Sequence, residues 1–172
     1  RTNFYSVPQR PSTKVQARVY ASKVEIWHEG QCAACHERCY SRQQEILNLE
    51  HYLEVLEHKP GALAGSKPLE QWRRQGRWPV SFDQIWERLM TKHGKQAGTR
   101  QMIELIRLGR VHGYDKLRQA IESTLDMGSC DVAAVRYLLT ADELDRIRPD
   151  PIDVGALCRY ERPLPVLNDY DR

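Results

Sequence analysis

Nowhere does the chain approach the roughly 18 uninterrupted apolar residues that a membrane helix needs, and no charged-then-apolar leader opens it. It has no Gly-x-Ser-x-Gly, no phosphate-cradling Gly-Lys-Ser/Thr loop and no His-Glu-x-x-His. Nucleophile-elbow hydrolases, P-loop nucleotidases and zinc peptidases are therefore left without their signatures. A secreted disulfide framework is missing too. The five cysteines are an odd number, three of them fall within eight residues, and Cys130 and Cys158 stand alone far downstream. These absences predict reduced thiols and a soluble protein of the cytoplasm. The start at Arg1 rather than Met predicts a piece of something longer.

Surplus charge is small as well, +3 over 172 residues, but it is unevenly placed: residues 1–45 carry +3, 46–58 carry −3, 59–110 carry +7 and 111–172 carry −4. A basic middle and an acidic end predict two surfaces with different partners, one of them a polyanion.

From Val15 to Tyr40 apolar residues alternate at period two. Val15, Ala17 and Val19 share one face, Val24 and Ile26 another, and Glu29-Gly30 supplies a turn. This predicts short antiparallel strands, a small sheet or partial barrel. After Arg42 the period lengthens, and Ile46, Leu49, Leu53 and Leu56 form one helical face. Two prolines and two glycines in 58–68 break it, and a short helix follows around Trp72. Ser81 is the expected N-cap of a helix carrying Phe82, Ile85, Trp86, Leu89 and Met90, with Gly94 ending it. Thr99 is expected to open the next, Gly113 to close it, and two more helices follow, through Leu117, Ile121 and Leu125 and through Val132, Val135 and Leu139, the last capped by Ser129 or Asp131. Such short connections predict a compact antiparallel bundle. From Pro149 onward, four prolines in 24 residues and little periodicity predict an extended tail. The expected class is α+β: a lead-in and small β-barrel or sheet over 1–43, a helical domain over 44–148 and the acidic tail over 149–172.

Gly30 to Tyr40 contains Cys-x-x-Cys-His, the pattern of c-type haem attachment. Strict alternation along a strand predicts Cys32 and Cys35 on opposite sides, with Cys35 and Cys39 sharing a side and His36 facing away with Cys32, so one haem could not take both thiols. Zinc would need Cys32, Cys35, His36 and Cys39 to converge in a knuckle, whereas zinc ligands usually come as two separated pairs. Ordinary semi-buried strand cysteines are the favoured reading, with no metal site. Elsewhere, His51 and His58 lie at helical spacing from Glu50 and Glu54, as solvated surface partners do.

Residues 67–79 interleave Lys67, Arg73, Arg74 and Arg77 with Trp72 and Trp78, cations for phosphates beside flat rings. The competing reading makes the tryptophans core anchors and the arginines a solvated face. The stretch from His112 to Val135 has the outline of a helix-turn-helix reader, but its second helix offers the single cation Arg136 and opens on Asp131, so packing accounts for it better.

Four stretches taken together, Tyr5-Ser6-Val7-Pro8, Ala34-Cys35-His36-Glu37-Arg38, His51-Tyr52-Leu53 and Lys59-Pro60-Gly61-Ala62-Leu63, together with the ending Leu164 to Arg172, resemble in order and spacing the C-terminal part of an insertion-sequence transposase of the IstA type. That resemblance covers essentially the whole chain. It implies a parent enzyme similar to retroviral integrases, in which three carboxylates and divalent metal, magnesium, cut transposon ends and join them to target DNA. Those carboxylates belong upstream of Tyr5, so this stretch is expected to carry no catalytic residue and no cofactor of its own. The resemblance asks for Ala34, His36 and Arg38 but for no cysteine at 32, 35 or 39, which further weakens haem and zinc. It implies DNA backbone contacts to transposon-end or target DNA from Arg18, Lys23, His36, Arg38 and Arg42, to which the basic middle adds Lys59, Lys67, Arg73, Arg74 and Arg77. It also implies self-association in a transpososome at the nucleoid, and engagement of an AAA+ ATPase partner through Tyr160, Leu167, Tyr170 and Asp171 of the tail. The alternatives are a protein–protein adaptor with a merely solvated basic surface, and a zinc-binding module.

Overall fold

A computed structural model of the chain describes residues 3–8 and 14–146, the side chains of 142–146 excepted. Residues up to Thr140 form one compact unit; a second begins at Ala141, and its described part is the end of the last helix. The predicted tail, with Tyr160, Leu167, Tyr170 and Asp171, lies outside the described residues.

The class is α+β. Strands β2 (Gln16–Val19), β3 (Lys23–His28) and β4 (Gln31–Glu37) form an antiparallel meander in that order. Alternation along β3 buries Val24, Ile26 and His28 and turns Glu25 and Trp27 outward. The two-residue turn needs positive φ at both centres, 47° at Glu29 and 78° at Gly30, the geometry that suits the right-handed twist of a hairpin. Among the described residues the sheet stays open and does not close into a barrel. β1 (Phe4–Tyr5) and β5 (Glu45–Ile46) pair with each other in parallel, Phe4 opposite Glu45 and Tyr5 opposite Ile46, instead of extending the meander. Ile46 thus belongs to a strand, contrary to its helical reading. Helical structure begins after Asn48, whose side chain caps the Glu50 N–H at 3.1 Å.

A 3-10 turn at Leu49–Tyr52 leads into α1 (Leu53–His58), and then come α2 (Lys67–Arg74), α3 (Val80–His93), α4 (Lys95–His112), α5 (Tyr114–Asp126) and α6 (Val132–Arg146). Their apolar stripes meet in one core through Leu49, Leu53, Trp72, Phe82, Ile85, Leu89, Met102, Ile106, Leu117, Ile121 and Val135. Each such side chain contributes roughly 1.5–3 kcal/mol by leaving water. Two helix starts differ from expectation. α3 begins at Val80 behind Pro79, whose fixed φ of −71° and extended ψ of 159° set up the first turn; Ser81 is inside the helix, buried, with its hydroxyl on Glu122 at 3.3 Å. α4 begins at Lys95, four residues before Thr99, because its first turn lies directly on α3. A Cβ on Gly98 would stand 2.6 Å from the Leu89 carbonyl carbon and the Met90 Cα, so glycine alone permits that approach. Thr99 is buried there, donating to Lys95 O at 2.7 Å and accepting from Trp86 Nε1 at 3.1 Å. Among the described residues, no helix is long and apolar enough to cross a membrane.

Candidate nucleic-acid interface on the sheet

Cross-strand neighbours on a sheet share a face, and the outward face of the meander gathers cations and rings. Arg18 stands opposite Glu25 in the register, and its guanidinium lies 4.1 Å from the Trp27 ring centroid. Lys23 pairs with Glu25 at 2.6 Å and sits 5.1 Å from the Tyr20 ring. Glu25 also accepts from Trp27 Nε1 at 2.9 Å. These hydrogen bonds, from Lys23 first and Trp27 second, hold its carboxyl below the usual range, and Glu25 in turn raises the Lys23 ammonium. At the end of the sheet, Arg38 donates to Tyr20 O at 2.9 Å and stacks 4.6 Å from the Tyr40 centroid. Such contacts fix flat cations without neutralising them. Arg42 follows on the exposed loop after β4.

The cysteines correct the alternation argument. The register runs Glu25 to Cys35 and Ile26 to Ala34, then shifts so that Trp27 faces Cys32. Ala33 is the extra residue of a β-bulge, and a bulge resets which side follows. Cys32 and Cys35 therefore share the outward face with Glu25 and Trp27, both exposed and free, while Ala34 and His36 point inward. His36 stands on the opposite side from both thiols, so the four proposed zinc ligands do not converge. Among the described residues, no three His, Cys, Asp or Glu side chains form a group able to hold a metal ion.

The inward face explains three of the sequence motifs at once. His36 Nε2 donates to the Ser6 carbonyl at 2.6 Å. The Ser6 hydroxyl accepts from Asn48 N at 2.9 Å and donates to His51 Nδ1 at 2.8 Å. The two imidazoles meet edge to face at 5.4 Å, and Tyr5 tilts against His36 at 5.6 Å. Burial holds His36 below its ordinary 6.5 and takes His51 to about 4, with the neighbouring His36 adding to the effect on His51. Both rings are thus neutral hydrogen-bonding groups at pH 7. His36, 7% exposed, leaves the DNA-contact set, and His51 is a partner of Ser6 and not a solvated helix residue.

On α2 the tryptophans follow the competing reading of residues 67–79. Trp72 and Trp78 are core anchors, at 0% and 6% exposure. Trp72 meets Tyr114 edge-on at 5.1 Å, its ring is covered by Arg77 at 4.3 Å, and its indole N–H is buried without an acceptor. The cations are held by carboxylates: Arg73 by Asp83, Arg74 by Glu70, Lys67 by Glu45 at 2.7 Å and Arg77 by Glu50 at 3.8 Å. Lys59 is exposed beyond α1. Residue reading overlooked Tyr20, Trp27 and Tyr40, although Arg18-x-Tyr20 and Arg38-x-Tyr40 have the i, i+2 spacing that puts cation and ring on one side of an extended chain.

Residues 1–48 match the family described as Mu transposase, C-terminal domain. Along 98% of its length the chain is 31% identical to a transposase for insertion sequences IS1326/IS1353 from Pseudomonas aeruginosa, and equally to one from Shigella flexneri; a transposase from Aminobacter aminovorans is 31% identical over 73% of the chain. The chain spans 33% of the length of the first two relatives and 24% of the third. No solved structure matches.

Proposed function

We propose that this chain, which belongs to the C-terminal region of the insertion-sequence transposases, serves its parent enzyme as a module that grips DNA by the phosphate backbone. The observation that carries this reading is the meander, where Arg18 on the outward face lies against Trp27 and Arg38 at the end of the sheet lies against Tyr40. Guanidinium groups already fixed by a ring lose little freedom on meeting a phosphate. Phosphate contacts position a protein on DNA without reading sequence, which suits a module that must hold many target sites. Cutting and joining, with the divalent metal those steps use, then fall to the remaining two-thirds of the parent, and this module works by holding the DNA still.

The test is a fluorescence-anisotropy titration of the chain against duplex DNA at two salt concentrations. Two phosphate contacts, from Arg18 and Arg38, give a log–log slope of roughly −1.8. Absence of binding at low salt overturns the proposal.

Assembly is the second part of the reading. A groove between β1–β5 and α1–α2, lined by Phe4, Leu47, Tyr52, Val55 and Pro68, leaves Phe4 exposed, an apolar surface of the kind that subunits of a transpososome bury. Recruitment of an AAA+ ATPase is assigned to residues 149–172. Unchanged ATPase capture after their deletion defeats that assignment and leaves the DNA reading intact.

A further inference from the structure

The loop after β4 is fixed more firmly than its exposure requires. Tyr40 is 72% exposed, yet its hydroxyl donates to the Ala21 carbonyl and its ring is stacked by Arg38 at 4.6 Å. Arg38 is itself tied twice to the β2–β3 turn, by its side chain to Tyr20 O and by its backbone N–H to Ser22 O, each at 2.9 Å. From the other side, Cys39 N donates to the Tyr5 hydroxyl at 3.1 Å, and Asn3 Nδ2 donates to Cys39 O at 2.9 Å and Ser41 O at 2.7 Å. The result is an open aromatic ring with both ends pinned. Tyr20, 43% exposed, and Lys23 lie at the same end of the sheet.

Phosphate pairing by itself needs no such ring. A continuous duplex presents phosphates outward and keeps its base faces within the stack, so it offers Tyr40 nothing flat to cover. An unpaired nucleotide offers a base face and a phosphate together, and stacking on a fixed ring beside cations is how strand-binding proteins capture it without regard to sequence.

We infer that Tyr40 is a stacking platform for an unpaired base, with Arg38 placed for a flanking phosphate, so that the module prefers single-stranded DNA, or the single-stranded extension of a duplex, to continuous duplex. The inference rests on the DNA-gripping reading and adds the form of DNA to it. The chemistry suits a DNA-joining enzyme, since a freshly cut or newly joined end is where unpaired nucleotides arise.

The experiment titrates the full chain, at one salt concentration, with an oligodeoxythymidylate strand, a blunt duplex and a duplex bearing a single-stranded overhang. Strand and overhang are expected to bind more tightly than the blunt duplex. Tyr40→Ala lowers affinity for the strand by roughly tenfold, the loss of one base stack, and lowers that for the blunt duplex by distinctly less, since there only the ring support of Arg38 is lost; Tyr40→Phe, which keeps the ring, retains most of the strand affinity. A wild-type chain that binds the blunt duplex as tightly as the strand, or a Tyr40→Ala variant with undiminished strand affinity, overturns the inference alone. Failure to bind any of the three DNAs defeats the DNA-gripping reading with it.

Discussion

The outer face of the meander and the exposed side of α2 are made of the same residue types, arginine and lysine beside tryptophan and tyrosine, and they do opposite things. On α2 the rings are sunk in the core and the cations are returned to carboxylates of their own chain. On the sheet Tyr40 and Tyr20 stay open, and Arg18 and Arg38 are held by rings and carbonyls that leave their charge unspent. Composition cannot separate the two. What separates them is which member of the pair is buried and whether the cation has an acid within reach.

The largest test of that contrast is tryptophan removal. Trp72→Ala empties a fully buried site and should cost about 3–5 kcal/mol, read from the urea midpoint, while Trp27→Ala on the sheet should cost under about 1 kcal/mol. Equal costs would erase the distinction between anchor and platform. Next in size is the support behind the sheet. Ser6→Ala deprives the Asn48 N–H of its acceptor and His51 Nδ1 of its donor, a loss of roughly 1–3 kcal/mol, and the inner face should loosen while α2 is unaffected, as amide exchange would report.

Acidity acts on the same junction. The unfolded imidazoles take protons near 6.5, whereas the folded His51 resists down to about 4 and His36 is lowered as well. More protons are bound unfolded than folded in that window, so stability held above pH 6.5 drains away as the pH falls toward 4. Glu54 favours the protonated His51 and works against this. With that and solvent screening allowed for, the loss is roughly 1–2 kcal/mol. Equal urea midpoints at pH 7 and pH 5 would refute it. The smallest expected effect concerns DNA: Arg18→Ala and Arg38→Ala should each flatten the salt slope by about one unit, and Arg73→Ala and Arg74→Ala should leave it alone. The reverse pattern would return the interface to α2.

Helices were legible wherever an apolar stripe ran for several turns, as in α3 and α5, because burial of one face is what the 3.6-residue period records. The β1–β5 pairing was not, since two residues carry no period. The bulge was hidden for a different reason: Ala33-Ala34 inside a strand has no feature that distinguishes a skipped residue from a paired one. Ser6, His36 and His51 stood in separate motifs, and nothing local in any of them says that the three meet. The stretch around Trp72 misled because large rings near cations look the same whether they face water or the core, whereas the two Arg-x-Tyr pairs were available to anyone asking what an extended chain places side by side.

The bulge at Ala33 also bears on how genes of this kind can differ. In a regular strand the loss of one codon turns every later side chain inside out. Here Ala33 is outside the alternation, so its removal would leave Cys32 and Cys35 outward and Ala34 and His36 inward, joined by an unbroken ladder. When related sequences are laid beside this one, the middle of β4 is therefore a position where a gap belongs, although gaps are ordinarily placed in loops.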